Sequence, residues 1–240
     1  MHKQHGLSII EMMVALLISS FLILGITQVY LDNRENTLFQ QSQGQNIESA
    51  RFSILLLEQT LAKTGYRRRP DETMEAAFPS FSGGACDGMR AGQVVKRVSA
   101  NSFCIRYQPA FPNARTCSGD NIANIPANPY IGGEPVTEFF ELSNGNLTCN
   151  GQTIASGIAD LGFDYGVNYS EEKRITEYIP EPAENANIRA VQFSVMAASP
   201  TEIGKTVGSH VYEYWFGNQP NDKRLYTMLS SSASMRNLMP

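Results

Sequence analysis

The sequence has 240 residues, a formal net charge of −4, and 42% hydrophobic and 18% charged residues. Its composition after residue 70 excludes a disordered tail, and its length allows one globular domain with its own core, not two. Lysines and arginines are scattered apart from Arg67-Arg68-Arg69, so no basic face predicts nucleic-acid binding. We interpret that triplet as the solvated end of a helix, where cations suit the C-terminal dipole.

The segment from Leu7 to Leu31 has the composition of a membrane span, apart from one carboxylate, Glu11. The uncharged run from Met12 to Leu31 would form a helix of roughly 30 Å, about the thickness of a bilayer core. An acidic side chain costs about 2 to 3 kcal/mol near the bilayer centre and less toward the interface. The Glu11 carboxylate therefore requires a stabilising partner or a functional role.

Residues 1–6 form a short, mildly basic leader. The positive-inside rule predicts that this leader stays in the cytoplasm and that the chain after the span is exported. The apolar run is longer than the core of a secretory signal, and no Ala-x-Ala site follows it. A plain uncleaved anchor remains an alternative, but it leaves Gly6, Ser8 and Glu11 unexplained.

The stretch Gly6-Leu7-Ser8-Ile9-Ile10-Glu11 resembles the processing site of type IV prepilins and of type II secretion pseudopilins. The resemblance implies that prepilin peptidase cleaves between Gly6 and Leu7 and that the new amino group on Leu7 is methylated. It also implies that Glu11 pairs with the N-terminal amine of a neighbouring subunit, which is a cation at neutral pH. The alternative is a local pairing with the helix dipole, which contributes about 0.3 to 1 kcal/mol.

The helix is predicted to continue beyond the apolar segment. Residues 32–45 are polar, and apolar side chains then recur at helical spacing: Ile47, Phe52, Ile54, Leu55, Leu56, Leu57 and Leu61. Gly65 is a natural C-cap, and Pro70 prevents the helix from resuming. We predict one helix of about 55 residues, with a membrane or filament-core half at 7–31 and a polar-to-amphipathic half at 32–65.

Residues 66–240 are predicted to form a β-rich domain, since short β-branched or aromatic runs alternate there with turn residues. The predicted strands are 94–98, 102–107, 136–142, 146–149, 161–167, 188–198, 207–216 and 225–229, with surface loops at 70–92, 108–135 and 168–187. Asn144-Gly145 predicts a two-residue hairpin turn. The fold class is α+β, and the resemblance implies a type IV pilin-like fold: a long N-terminal helix packed on an antiparallel sheet.

The four cysteines, Cys86, Cys104, Cys117 and Cys149, all lie in the part predicted to be exported. An even number of cysteines in an oxidising compartment indicates two disulfides, for which three connectivities exist. We favour Cys117 with Cys149, because the first opens a long loop and the second ends a hairpin strand. Cys86 then pairs with Cys104. The spacings match neither a redox nor a zinc motif.

Little in the sequence indicates catalysis. Removal of the leader leaves His210 as the single histidine, so a histidine-dependent triad would rest on that residue alone, and we interpret it as an ordinary strand residue. The carboxylates lie mainly in polar loops, where solvated charge is the simpler interpretation. We predict no enzyme activity, no catalytic residues, no metal site and no cofactor.

Within the pilin-like family, residues 48–66, 157–167 and 235–238 resemble minor pilins. The resemblance implies assembly with other minor pilins and the major pilin, and contact with prepilin peptidase, the inner-membrane assembly platform, membrane lipid and a tip adhesin. It places the chain in the inner membrane with a periplasmic domain, and later in a pilus. A J-like minor pseudopilin of type II secretion is the near alternative. A membrane-anchored periplasmic enzyme or binding protein is a third.

Overall fold

The computed structural model describes residues 8–170 and 172–239, so the predicted cleavage site at Gly6 and Leu7 lies outside the described residues. The chain divides into two compact units, Met1–Ser42 and Gln43–Pro240. Helix α1 spans Ile9–Lys63, which is 55 residues and the length predicted. Its first part forms unit 1, and its last part belongs to unit 2.

Helix α1 ends where the sequence predicts. Gly65 has a left-handed φ of 72°, and its N–H donates to the carbonyl of Arg106 at 2.9 Å. A Cβ atom at this position would lie 2.8 Å from Cδ2 of Leu238. Glycine is therefore favoured here both by the backbone conformation and by close packing.

Unit 2 contains two antiparallel sheets. The first is a five-stranded meander in the order β1 to β5, with strands Val95–Ser99, Ser102–Tyr107, Val136–Ser143, Asn146–Cys149 and Gln152–Ser156. The second has the order β7-β6-β8-β9, with β6 at Ile158–Asn168, β7 at Glu177–Ile179, β8 at Asn187–Ala198 and β9 at Tyr226–Ser234. The predicted class is confirmed: a long N-terminal helix packs on antiparallel sheets. Two short helices, α2 (Met74–Ala77) and α3 (His210–Phe216), lie in the connections.

The predicted hairpin turn is confirmed at the tip of β3 and β4. Ser143 pairs with Asn146 across the turn, and the two residues between them have φ angles of 50° for Asn144 and 75° for Gly145. Positive φ at both central positions is the geometry that a type I′ turn requires, and it matches the right-handed twist of the strands.

The predicted strand at 207–216 is wrong, because this segment forms helix α3. Ser209 caps the helix by accepting a hydrogen bond from the N–H of Tyr212 at 3.3 Å, and Gly217 ends it with a φ of 72°. A serine before the segment and a glycine after it are helix boundary signals. The aromatic side chains in between favoured the strand interpretation. Strands β5 and β7 were not predicted.

The core of unit 2 lies between the two sheets. The ring of Phe103 on β2 lies 5.3 Å from that of Phe140 on β3 and 4.9 Å from that of Phe163 on β6 in the other sheet. Leu57 and Leu61 of α1 are fully buried in the same cluster. Burial of these side chains against both sheets is the main force that holds the last part of α1 in place.

The buried face of α1 in unit 2 is less apolar than predicted. It combines small polar residues with a few apolar ones: Asn46, Ala50, Ser53, Leu57, Thr60 and Leu61. Two of the polar members have partners: Ser53 Oγ donates to the carbonyl of Ser49 at 2.9 Å, and Asn46 Nδ2 donates to that of Leu225 at 2.8 Å. Phe52 and Leu55, which were predicted to widen the apolar face, are exposed at 51% and 54%.

We expect Leu57→Ala and Leu55→Ala to have very different effects on stability. Leu57 is fully buried, so its truncation should lower the free energy of unfolding by about 2 to 5 kcal/mol through lost burial and a cavity. Leu55 lies on the same helix but is exposed, so its truncation should change stability by less than about 0.5 kcal/mol. Urea titration of the full chain in detergent measures both, and equal losses would contradict the observed helix orientation.

Candidate functional site

The first part of α1 carries a continuous apolar surface. All described residues from 8 to 41 are exposed in the structure, including Leu16, Phe21 and Ile26. By length and composition alone, α1 is the one described helix that could cross a membrane. An exposed apolar surface of this extent requires lipid or another protein to cover it.

Two hydroxyl groups within this apolar segment are satisfied by the helix itself. Ser20 Oγ donates to the carbonyl of Leu17 at 2.8 Å, and Thr27 Oγ1 donates to that of Ile23 at 2.7 Å. In an environment without water, every polar group needs an internal partner. These two hydroxyls are therefore compatible with a lipid or protein environment, whereas Glu11 carries a charge that needs explanation.

Glu11 lies in the first turn of α1. Its Oε2 atom accepts a long hydrogen bond of 3.4 Å from the N–H of Ser8, as a carboxylate at a helix N-terminus commonly does. Within residues 8–170 and 172–239, no side-chain cation lies within ion-pair distance of Glu11. The carboxylate is exposed, so it is available to a cation from outside the described part of the chain.

A second carboxylate, Glu138, is fully buried in unit 2, and sequence analysis did not single it out. Its Oε2 atom lies 2.8 Å from Nζ of Lys63, the last residue of α1. Its Oε1 atom accepts hydrogen bonds from the Tyr107 hydroxyl at 2.6 Å and from the N–H of Cys117 at 2.8 Å. One side chain thus joins the end of α1, strand β2 and the loop before β3.

The sequence contained a signal for this buried position. Glu138 and Phe140 lie two residues apart on β3, so their side chains point to the same inner face of the sheet. A carboxylate at an inward position must be paired to be stable. Burial is the largest cause that raises the pKa of Tyr107, and the negative charge of Glu138 raises it further. The Tyr107 hydroxyl is therefore a proton donor to Glu138 throughout the ordinary pH range.

Two disulfides are present, Cys86–Cys104 and Cys117–Cys149, and this is the pairing that the sequence analysis favours. Cys117 and Cys149 form a group with Glu138 that has the composition of a metal site. The two sulfur atoms are bonded to each other, however, and Lys63 forms an ion pair with the carboxylate, so these groups already have partners. The group is therefore a structural cluster in which a disulfide and an ion pair meet.

The interpretation of Arg67-Arg68-Arg69 as a solvated helix end is wrong for the central residue. Arg69 fits it, with an exposed ion pair to Asp71 at 2.7 Å, and Arg67 donates to the carbonyl of Glu72. Arg68 is buried at 3% exposure. A run of three identical residues gave no signal that only the middle side chain turns inward.

The interpretation of His210 as an ordinary strand residue is wrong, because it lies in helix α3. His210 is the first residue of α3, and its side chain is exposed with Nδ1 3.6 Å from a carboxylate oxygen of Glu213. Tyr212 donates to Asp160 at 2.7 Å and anchors α3 on β6. This hydrogen bond attaches the helix to the sheet.

Two comparisons with known proteins found similarities, one to the N-terminal segment and one to most of the chain. Residues 1–27 match the family described as the prokaryotic N-terminal methylation motif. No curated protein matches the chain. A type IV-like pilin from Thermus thermophilus is among the similar solved structures, with a TM-score of 0.44 and 14% identity, covering 81% of this chain and 98% of that one. The motif indicates a prepilin-like structural protein, not an enzyme, and the apolar helix that begins within it favours membrane anchoring.

The raised pKa of Tyr107 predicts a loss of stability at alkaline pH. Above its ordinary pKa of about 10, this hydroxyl ionises in the unfolded chain but keeps its proton in the folded chain. The folded state then binds more protons, so the free energy of unfolding falls as pH rises, by up to about 1.4 kcal/mol per pH unit for this group.

Tyr107→Phe should therefore make the decline in unfolding free energy above about pH 10 less steep than in the wild type. The exposed Tyr130→Phe is the matched control and should keep the wild-type slope. Urea titrations at several pH values measure both slopes. Parallel curves for wild type and Tyr107→Phe would show that the buried hydroxyl does not titrate with unfolding.

Proposed function

We propose that this protein is a minor pilin of the PilW kind. It is made as a prepilin, held in the inner membrane by the first part of α1, cut after Gly6 and methylated on Leu7. With other minor pilins it forms a complex that initiates a type IV pilus and lies at its tip, and so serves twitching motility and surface attachment. The observation that carries the proposal is the match of residues 1–27 to the methylation motif, with Glu11 in the first turn of the helix.

The surroundings of Glu11 support this role. A carboxylate beside an apolar helix surface is unfavourable unless a cation reaches it. The methylated amino group of a neighbouring subunit is such a cation, because methylation keeps the charge. An ion pair between two subunits in a poorly hydrated filament core would fix the register in which the helices stack.

The last part of α1 offers a second surface for lateral contact. Phe52 and Leu55 are one turn apart on the exposed side of the helix, where three-residue spacing places them on one face. Large apolar side chains that remain exposed beside a satisfied core favour contact with another protein. A pseudopilin of type II secretion would share these features, so the test below separates the two filament types.

Surface filaments sheared from cells should contain this chain with an N-methylated Leu7 as its first residue. Mass spectrometry of the N-terminal peptide measures this directly, and whole membranes from the same cells provide the unassembled control. A chain that still begins at Met1 would contradict prepilin processing. A processed chain that is absent from surface filaments, together with a defect in protein secretion on its deletion, would favour the J-like pseudopilin.

Glu11→Gln should separate processing from assembly. The variant keeps the apolar helix and the cleavage site, so it should insert in the membrane and lose its leader normally. Removing one member of a buried ion pair costs about 3 to 5 kcal/mol, so incorporation into filaments should fall about tenfold or more. Glu48→Gln, an exposed carboxylate on the same helix, is the matched control. Normal incorporation of the Glu11 variant would contradict the pairing.

A further inference from the structure

We propose that residues 109–135, named here the clamped loop, form a preformed surface that binds the globular domain of another pilin-like subunit, and that Arg68 is the positioning residue that fixes this surface. The inference rests on the proposed function and adds to it a partner-binding element in unit 2. It is carried by three observations: the contacts of Arg68, the other anchors of the loop, and the side chains that the loop exposes.

Arg68 holds the loop through backbone carbonyls alone. Its guanidinium donates to five of them: Pro109 at 2.9 Å, Ala110 at 3.4 Å, Pro126 at 2.7 Å, Asn128 at 2.7 Å and Ile131 at 2.9 Å. The first two acceptors lie at the start of the loop and the other three near its end. The buried side chain therefore ties both ends of the loop to one point.

The chemistry of this clamp requires arginine. No carboxylate lies within ion-pair distance of Arg68 in the described part of the chain, so the buried cation is compensated by carbonyl dipoles. A guanidinium presents five N–H donors in a fixed plane, whereas the ammonium group of lysine has three donors at one atom. Lysine could not reach carbonyls on opposite sides of the loop at the same time.

Further anchors fix the middle and the start of the loop. The disulfide Cys117–Cys149 ties the loop to β4, and the N–H of Cys117 donates to Glu138. Directly before the loop, Gln108 Oε1 accepts a hydrogen bond from the backbone N–H of Arg68 at 2.8 Å. The loop contains no helix or strand between β2 and β3. Loops of more than about 15 residues without such elements are usually functional or disordered, and these anchors argue against disorder.

The clamped loop exposes large side chains from this fixed backbone. Phe111, Tyr130 and Ile131 are exposed at 68%, 77% and 53%. Aromatic side chains contribute much of the energy in protein interfaces. A backbone that is ordered before binding loses little conformational entropy when the partner arrives. The loop thus combines the two properties that favour a protein-binding surface.

The charge of the loop indicates the class of partner. It has three charged residues, Arg115, Asp120 and Glu134, within a chain of net charge −4. A nucleic acid or an anionic membrane would require a cluster of cations. A nearly neutral aromatic surface instead keeps the net negative charge of this chain away from the contact with a second protein subunit. The occupant that fits is the globular domain of another pilin-like subunit.

Site-specific photocrosslinking in living cells tests the proposal on the full chain. Benzoylphenylalanine replaces Tyr130 in the clamped loop, Tyr169 as an exposed aromatic control in another loop, and Leu16 as a reporter of helix packing. Mass spectrometry identifies the adducts. Position 130 should crosslink to the globular domain of a polypeptide that carries a prepilin motif, at about tenfold higher yield than position 169. Adducts only to lipid, or only to proteins without the motif, would overturn the proposal.

The reporter at Leu16 distinguishes failure of the loop surface from failure of the proposed function. Adducts between Leu16 and another prepilin-type helix, with none from position 130, would refute the loop surface and leave the proposed function standing. Absence of adducts at both positions would refute both. Adducts at position 130 alone, in a chain that never enters a filament, would support the surface but contradict the pilus assignment.

Conservative changes test the clamp itself. Arg68→Lys keeps the charge but loses the planar fork, so the crosslink yield from position 130 should fall about tenfold. Arg67→Lys is the matched neighbouring control and should keep the wild-type yield. An unchanged yield in Arg68→Lys would refute the positioning role.

Tyr130→Ser leaves the clamp intact, so it should reduce filament incorporation without changing the melting temperature. Normal incorporation of that variant would refute the surface even if Arg68→Lys failed to fold.

Discussion

A single buried carboxylate, Glu138, fixes the arrangement of unit 2. Because an unpaired charge in the core is strongly unfavourable, its three partners must all be in place together: the Lys63 ammonium, the Tyr107 hydroxyl and the Cys117 N–H. These groups come from the end of α1, from β2 and from the clamped loop. The position of the helix end, the end of strand β2 and the course of the loop are thereby coupled through one side chain.

The last part of α1 distributes its side chains in an unusual way for a helix on a core. Small polar residues such as Ser53 and Thr60 lie inside, while Phe52 and Leu55 lie outside. Small side chains take little room between the helix and the sheets, and the hydroxyls of Ser53 and Thr64 donate to the carbonyls of Ser49 and Thr60, four residues earlier. The bulky residues are then left for a second contact, which is the distribution that a subunit of a larger assembly requires.

The sequence predicted features that local patterns encode. The long helix with its end at Gly65 and the Asn144-Gly145 hairpin follow from apolar periodicity and turn residues, and both are present. Helix α3 was misread because its aromatic run favours a strand, whereas the Ser209 and Gly217 caps decided the outcome. The roles of Arg68 and Glu138 depend on residues about 20 to 75 positions away in sequence, and no local pattern reports such partners.

Three charged residues of this chain, Glu11, Arg68 and Glu138, fall into two groups according to where their partners are. Arg68 and Glu138 are buried, and each finds all its partners within unit 2, so they act by shaping the fold. Glu11 lies on an apolar helix and has only a weak bond to the N–H of Ser8 among the described residues. A charge that is satisfied internally stabilises a structure, whereas a charge in apolar surroundings without a strong partner favours binding of a cation from outside. This difference separates the residues that build the subunit from the residue expected to join it to the next.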